Sequence, residues 1–205
     1  MRQRKINTDF LSPRLLRSDS VAPLGGFRLS TENQYLFSAG VTREGYNLSY
    51  YMFIKSPEAI KQIEKGGKII GKILAKLVKL CQPGVTTWEI DQSAEKMIIA
   101  AGGKPSFKGY HSRPKDTPFP TAICASINHE LVHATAKKSV KLKDGDIFSI
   151  DIGMEWPYKK NFRGYFTDTA ITVPIGLISD KIKELLRVTQ VALEVGIKAV
   201  RPGKT

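Results

Sequence analysis

Two aspartates stand inside otherwise apolar, β-branched runs. Asp151 lies in Ser149-Ile150-Asp151-Ile152-Gly153 and Asp168 in Tyr165-Phe166-Thr167-Asp168-Thr169. Burying a carboxylate without a partner is expensive. Two of them on neighbouring strands would repel unless a cation lay between, and carboxylate oxygens are hard ligands for divalent metals. The competing reading is that both face solvent or cap turns. Strand alternation puts Ile150 and Ile152 on one face and Ser149, Asp151 and Gly153 on the other, so the carboxylate face need not be core. Spacing alone leaves both readings open.

A second constellation is His129-Glu130-Leu131-Val132-His133, a literal H-E-x-x-H. On a helix this pattern sets two histidines on one face for zinc, with the glutamate as general base. A zinc protease also needs a third ligand further on. The chain has three His, and His111 lies upstream. Glu155 is the first Glu downstream and abuts Trp156-Pro157, a poor helical ligand site. The zinc-protease reading therefore stands as a minor alternative. Gly203-Lys204-Thr205 imitates the end of a phosphate loop, but Lys198 occupies the position of that motif's first Gly.

These residues need elements to position them. Ser56-Pro57-Glu58 is a helix start, with Ser as cap and Pro at the first helical position. Ile60, Ile63, Ile70, Leu74, Leu77 and Cys81 follow near helical spacing, and Pro83-Gly84 ends the run. Thr86-x-x-Glu89 is a capping box that opens a second helix, which ends near Gly102-Gly103. Residues 121–127 fit strand and helix equally. Ile147 to Ile152 and Tyr165 to Val173 alternate and are β-branched, which predicts strands. Ser179-Asp180 starts a last helix running to about Val200. The order predicts an α+β fold with an antiparallel sheet. Lys79-Leu80-Cys81-Gln82-Pro83-Gly84-Val85-Thr86 and Lys198-Ala199-Val200-Arg201-Pro202-Gly203-Lys204-Thr205 share Lys, Pro, Gly and Thr at the same offsets. A fold of two related halves would be only partly present.

The chain has 205 residues, 41% of them hydrophobic, and a net charge of +13. Such a balance suits acidic partners, an RNA or ribosome surface among them, although lysines spread along amphipathic segments also fit a solvated face. Two cysteines, Cys81 and Cys124, make no disulfide framework. No apolar run reaches transmembrane length and no signal-peptide core is visible, so a reducing cytoplasm is expected. Residues 1–51, rich in Arg, Ser and Asn without sustained periodicity, are expected to be a disordered tail or a spurious extension.

From Met52 to Thr205 the chain resembles type I methionine aminopeptidases of the pita-bread fold. The resemblance is carried by Ile54-Lys55-Ser56-Pro57-Glu58-Ala59-Ile60, Pro105-Ser106-Phe107-Lys108-Gly109-Tyr110 and Phe119 to Asn128. It continues through Val132-His133, Leu142-Lys143-Asp144-Gly145-Asp146, Ser149 to Gly153 and Phe166-Thr167-Asp168-Thr169. The resemblance implies a catalytic domain over 52–205 that removes the N-terminal Met from nascent proteins. It implies two divalent metal ions (Co, Mn, Fe or Zn) held by two Asp, one His and two Glu. Asp168 would bridge both and Asp151 would chelate one. His133 would be a catalytic, substrate-contacting residue rather than a ligand. Tyr110, Phe119 and Cys124, with Phe107 as a weaker match, would line the Met side-chain pocket. The partners implied are nascent polypeptide N-termini, with the ribosome surface as a further partner, no membrane, and a monomeric state. A non-catalytic relative that binds ribosome or RNA is the alternative.

The chain departs from the family pattern in three ways. The family's ligand His and both ligand Glu fall in a second half with no counterpart here. The interval from Asp151 to Asp168, 17 residues, is longer than usual, with the excess near Lys159-Lys160-Asn161. A further extra stretch, Ser112 to Pro118, sits beside the expected pocket. Finally, Ala134 replaces the Gly that follows the catalytic His.

Overall fold

The computed structural model describes residues 54–161 and 163–204, so the expected tail over 1–51 lies outside the described residues. Helix α1 (Pro57–Leu80) begins where its cap dictates, with Ser56 Oγ accepting from Ala59 N at 3.2 Å. Its buried positions, Ala59, Gly66, Ile70, Ile73, Leu74 and Leu77, recur at three and four residues and form one stripe. Helix α2 (Thr87–Ala100) carries the full capping box. Thr86 N donates to Glu89 Oε2 at 2.8 Å, and Glu89 N donates to Thr86 Oγ1 at 3.2 Å.

The sheet is built around β3 (Ile147–Trp156). Along one side β3 pairs antiparallel with β4 (Tyr165–Pro174) over its whole length, from Ile147 opposite Pro174 to Trp156 opposite Tyr165. On its other side lie β2 (Ile123–Ile127) and the short β1 (Lys104–Pro105), also antiparallel. The undecided stretch 121–127 is thus a strand from Ile123 onward. The ladder to β3 satisfies its backbone, and its side chains alternate between core and site. The extra residues Lys159, Lys160 and Asn161 lie in the connection between β3 and β4.

Alternation divides the sheet into two unlike faces. Ile123, Ala125, Phe148, Ile150, Ile152 and Met154 point one way and pack with α1 and α2 into a single core. Gly66 allows α1 to lie close on β4, because a Cβ there would meet Thr167 Cγ2 at 3.1 Å. The other face carries Cys124, Ser126, Ser149, Asp151, Gly153, Asp168 and Thr172, as the register requires. Ser149 and Thr172 meet across it through their hydroxyls at 2.8 Å.

Helix α3 (Asp180–Ala199) is capped by Ser179, whose Oγ accepts from Ile182 N at 3.4 Å. None of its residues is buried. The residues Ser56–Thr205 form one compact unit.

Candidate functional site

Asp151 sits at the middle of β3, opposite Cys124 on one side and Ala170 on the other. Asp168 sits on β4 opposite Gly153, which makes the two carboxylates diagonal neighbours on the polar face. Asp151 Oδ1 is buried and has no hydrogen-bond partner. Burial pushes the Asp151 carboxyl above the usual carboxylate range, and the charge of Asp168 pushes it further, while His133 pulls the other way. Such an orphaned oxygen facing a second carboxylate fits a divalent cation, which would relieve both the desolvation and the repulsion. Among the described residues no group of three or more His, Cys, Asp or Glu side chains converges to hold a metal. Within the described residues, a cation at this place would meet the two carboxylates of Asp151 and Asp168.

The pair opens into a cavity of about 710 Å³. Phe107, Tyr110, Phe119, Cys124 and His133 line it together with Asp151 and Asp168, so the site residues that the resemblance implies all face one space. Three of them come from the connection between β1 and β2. That connection is drawn together by Gly109 N donating to Phe119 O and Phe119 N donating to Tyr110 O, both at 2.8 Å. Its base is fixed by Ser106 N donating to Gly153 O at 3.1 Å. Gly153 is needed at that point, because a Cβ would collide with Ser106 Oγ and lie 2.6 Å from the Phe107 ring. The extra stretch Ser112 to Pro118 folds on itself, Arg113 N donating to Asp116 Oδ2 at 2.9 Å, and brings Ser112 to the cavity rim.

Cys124 is buried, and burial first, then the Asp151 charge, pushes its thiol up to about 11. At neutral pH it is a protonated, weakly polar wall rather than a nucleophile. His133 is held in the left-handed region at φ 60. Ala125 N donating to Ala134 O at 2.8 Å ties the backbone just after it to β2. A non-glycine residue in that region is strained, and such strain gathers at working sites.

The H-E-x-x-H pattern is not on a helix. Its residues form a turn and an extended stretch between β2 and the 134–136 segment. Asn128 enters the left-handed region at φ 53, and the Glu130 carboxylate folds back to accept from Ile127 N at 2.8 Å. His129 points to solvent while His133 lines the cavity. The zinc-protease alternative lacks the helix that would set both histidines on one metal.

Ser112 lines the cavity too, as expected of a stretch beside the pocket, and Ser106, Thr135 and Phe166 line it without having been assigned to the site from the sequence. Phe166 had a visible signal: it shares a strand face with Asp168, two residues away. Asp91 was missed as well. It is 1% exposed and accepts from Ala122 N at 2.7 Å and Ile123 N at 3.1 Å through one oxygen. Burial raises its carboxyl above the usual range, and these backbone bonds oppose the rise. Asp91 thereby fixes the start of β2, one residue before Cys124. Its signal was its place on the buried stripe Thr87, Asp91, Ala94, Ile98.

Residues 61–205 match the model of metallopeptidase family M24. The methionine aminopeptidase 1 of Bacillus subtilis is 41% identical over 150 residues, which cover 73% of this chain and 55% of that protein. The methionine aminopeptidase of Aquifex aeolicus is 38% identical over 73% of this chain and 55% of its own length. Among solved structures, the methionine aminopeptidase of Thermotoga maritima superposes with a TM-score of 0.64 at 33% identity, again over 73% of this chain and 55% of that one. The prolidase of Pyrococcus horikoshii, at 23% identity and a TM-score of 0.61, shares the fold. The antiparallel sheet with its flanking helices is the pita-bread arrangement, and the chain spans about half the length of the curated relatives it matches. With its family match running through α1, the two-faced sheet and α3, the chain belongs to metallopeptidase family M24.

Proposed function

We propose that this chain supplies the first-residue pocket and two metal-ligating carboxylates of a methionine aminopeptidase, which removes the N-terminal Met from newly made polypeptides. The observation that carries the reading is the orphaned Asp151 oxygen beside Asp168 at an aromatic-walled cavity. Asp151 and Asp168 would hold divalent metal, and Co, Mn, Fe and Zn all accept carboxylate oxygens. Bound there, the metal supplies Lewis acidity toward the scissile carbonyl and neutralises the paired carboxylates. The remaining work falls to the chain's own residues. Phe107, Tyr110, Phe119 and Cys124 offer an apolar slot of the kind an unbranched thioether fills. His133, at the rim and held by its strained backbone, would hydrogen-bond the peptide group that is cleaved and stabilise charge developing on it. With the Met side chain against these walls, the amino group and the scissile bond would lie toward the carboxylates.

The substrates in this reading are nascent polypeptide N-termini, and the working compartment is the cytoplasm. No helix among the described residues is long and apolar enough to cross a membrane. Ribosome contact through the basic surface and a monomeric state belong to the same reading.

Calorimetry with manganese on the whole chain is the test. Two carboxylates give weak binding, on the order of millimolar, because ligand charge and rigidity set affinity. Asp168→Asn should remove it, while Glu130→Gln should leave it unchanged. Manganese binding that survives Asp168→Asn would overturn the reading.

A further inference from the structure

Helix α1 bears lysine at 61, 65, 68, 72, 76 and 79, a spacing of four, three, four, four and three. On a helix these positions share one face. All six side chains are exposed, whereas Ile70, Ile73, Leu74 and Leu77 on the opposite face are sealed in the core. An ordinary solvated face mixes signs, with Glu and Lys paired at four residues. Here the helix holds only Glu58 and Glu64 as acids. Among the described residues, Lys68 alone of the six has an ion-pair partner, Glu64. Gly84 N donates to Leu142 O at 2.8 Å and Thr86 bridges Lys141, which brings Lys141 and Lys143 beside the α1 terminus.

We propose that this lysine row is a binding surface for the phosphate backbone of double-stranded RNA. The row runs ~27 Å with one ammonium per ~4.5–6 Å. A nucleic-acid strand presents one phosphate per ~3.4 Å of axis, so each lysine has one or two phosphates to neutralise. A lipid surface fits less well, because an interfacial helix must lay its apolar face into the bilayer. The apolar face of α1 is already spent on the sheet. The lysine row lies beyond α1 from the sheet, and the cavity opens on the opposite sheet face, so a bound duplex leaves the cavity free. RNA rather than DNA is chosen because the substrate of the proposed function is made on RNA. That choice rests on the proposed function, while the phosphate contacts stand on geometry alone.

The test is fluorescence anisotropy of the whole chain with a short labelled RNA duplex over a salt series. The stripe variant replaces Lys65, Lys68, Lys72 and Lys76 with Gln. The control replaces Lys181, Lys183, Arg187 and Lys198 of α3 with Gln, for the same loss of charge. The stripe variant should bind more than about tenfold weaker, and its slope of log affinity against log salt should fall by about three to four. The control should keep nearly the full slope. Equal losses in both variants would reduce the effect to net charge and overturn the proposal. So would tighter binding to a DNA duplex of the same sequence, or to phosphatidylserine vesicles at the same ionic strength. Should the fourfold variant lose its helical circular dichroism, the Lys68→Gln/Lys72→Gln pair carries the test with half the slope change. None of these measurements involves peptidase activity, so a failed aminopeptidase reading and a failed RNA surface give separate signatures.

Discussion

The two faces of the sheet are made by the same ten residues of β3, yet they answer to opposite demands. Phe148, Ile150, Ile152 and Met154 are completely buried against the helices. Ser149, Asp151 and Gly153, interleaved with them, lie on the other face, where Asp151 lines the cavity. A strand's period of two thus lets stability and chemistry be held by neighbouring residues with little interference. Each face keeps one buried side-chain oxygen without a partner among the described residues: the Thr167 hydroxyl against α1 at Gly66, and on the cavity face an oxygen of Asp151, the one that carries charge.

The contrast breaks first on the apolar side. Ile150→Ala should cost about 3–4 kcal/mol, the range for emptying a fully buried aliphatic site, read as a drop in the denaturant midpoint. Manganese affinity, referred to the folded fraction, should not move. Asp91→Ala probes the seam between the faces. It leaves the Ala122 and Ile123 amides buried without an acceptor, for about 2–4 kcal/mol, and Asp91→Asn should recover part of the loss because an amide oxygen accepts the same bonds. Chemical denaturation of the two variants side by side measures this.

On the cavity side the sign should reverse. The Asp151 carboxyl is raised in the folded chain above its ordinary value of 3.8, so folding favours its protonated form. Stability is then lost as pH rises from that value through the folded one. Asp151→Asn should flatten this loss and give a small gain in melting temperature at neutral pH, the smallest effect of the three. Manganese should narrow the gap by stabilising only the parent chain. A variant less stable than the parent in metal-free buffer would show that Asp151 is a structural residue.

Much of this division was legible in the sequence, because caps and alternation are local signals. Ser56, Thr86 and Ser179 announce their helices, and the isoleucines flanking Asp151 assign the faces of β3. Other features depend on contacts that no local pattern encodes. The run at 121–127 is short and apolar, and only its ladder to β3 makes it a strand. Asp91 reads as an ordinary polar helix residue until the Ala122 and Ile123 amides arrive. The spacing of His129 and His133 suits a helix, but Asn128 and the fold-back of Glu130 turn the chain first. The cavity was readable through the family resemblance and the paired aspartates, whereas the clasp between Gly109, Tyr110 and Phe119 was not.

Helix α3 repeats the cap and the Pro-Gly ending of α1, yet Leu185, Val188, Leu193, Val195 and Ile197 remain in water. A helix without burial is held by its own hydrogen bonds, and an isolated helix of such length is marginal in water. This chain should therefore melt in two regimes. The α3 contribution to ellipticity would fade gradually with temperature, as in a free peptide, ahead of the sharp transition of the sheet and its two covering helices. Backbone amides of α3 would trade their hydrogens for deuterium long before those of β3, so the helix that opens first is one that already shows leucine, valine and isoleucine side chains to water.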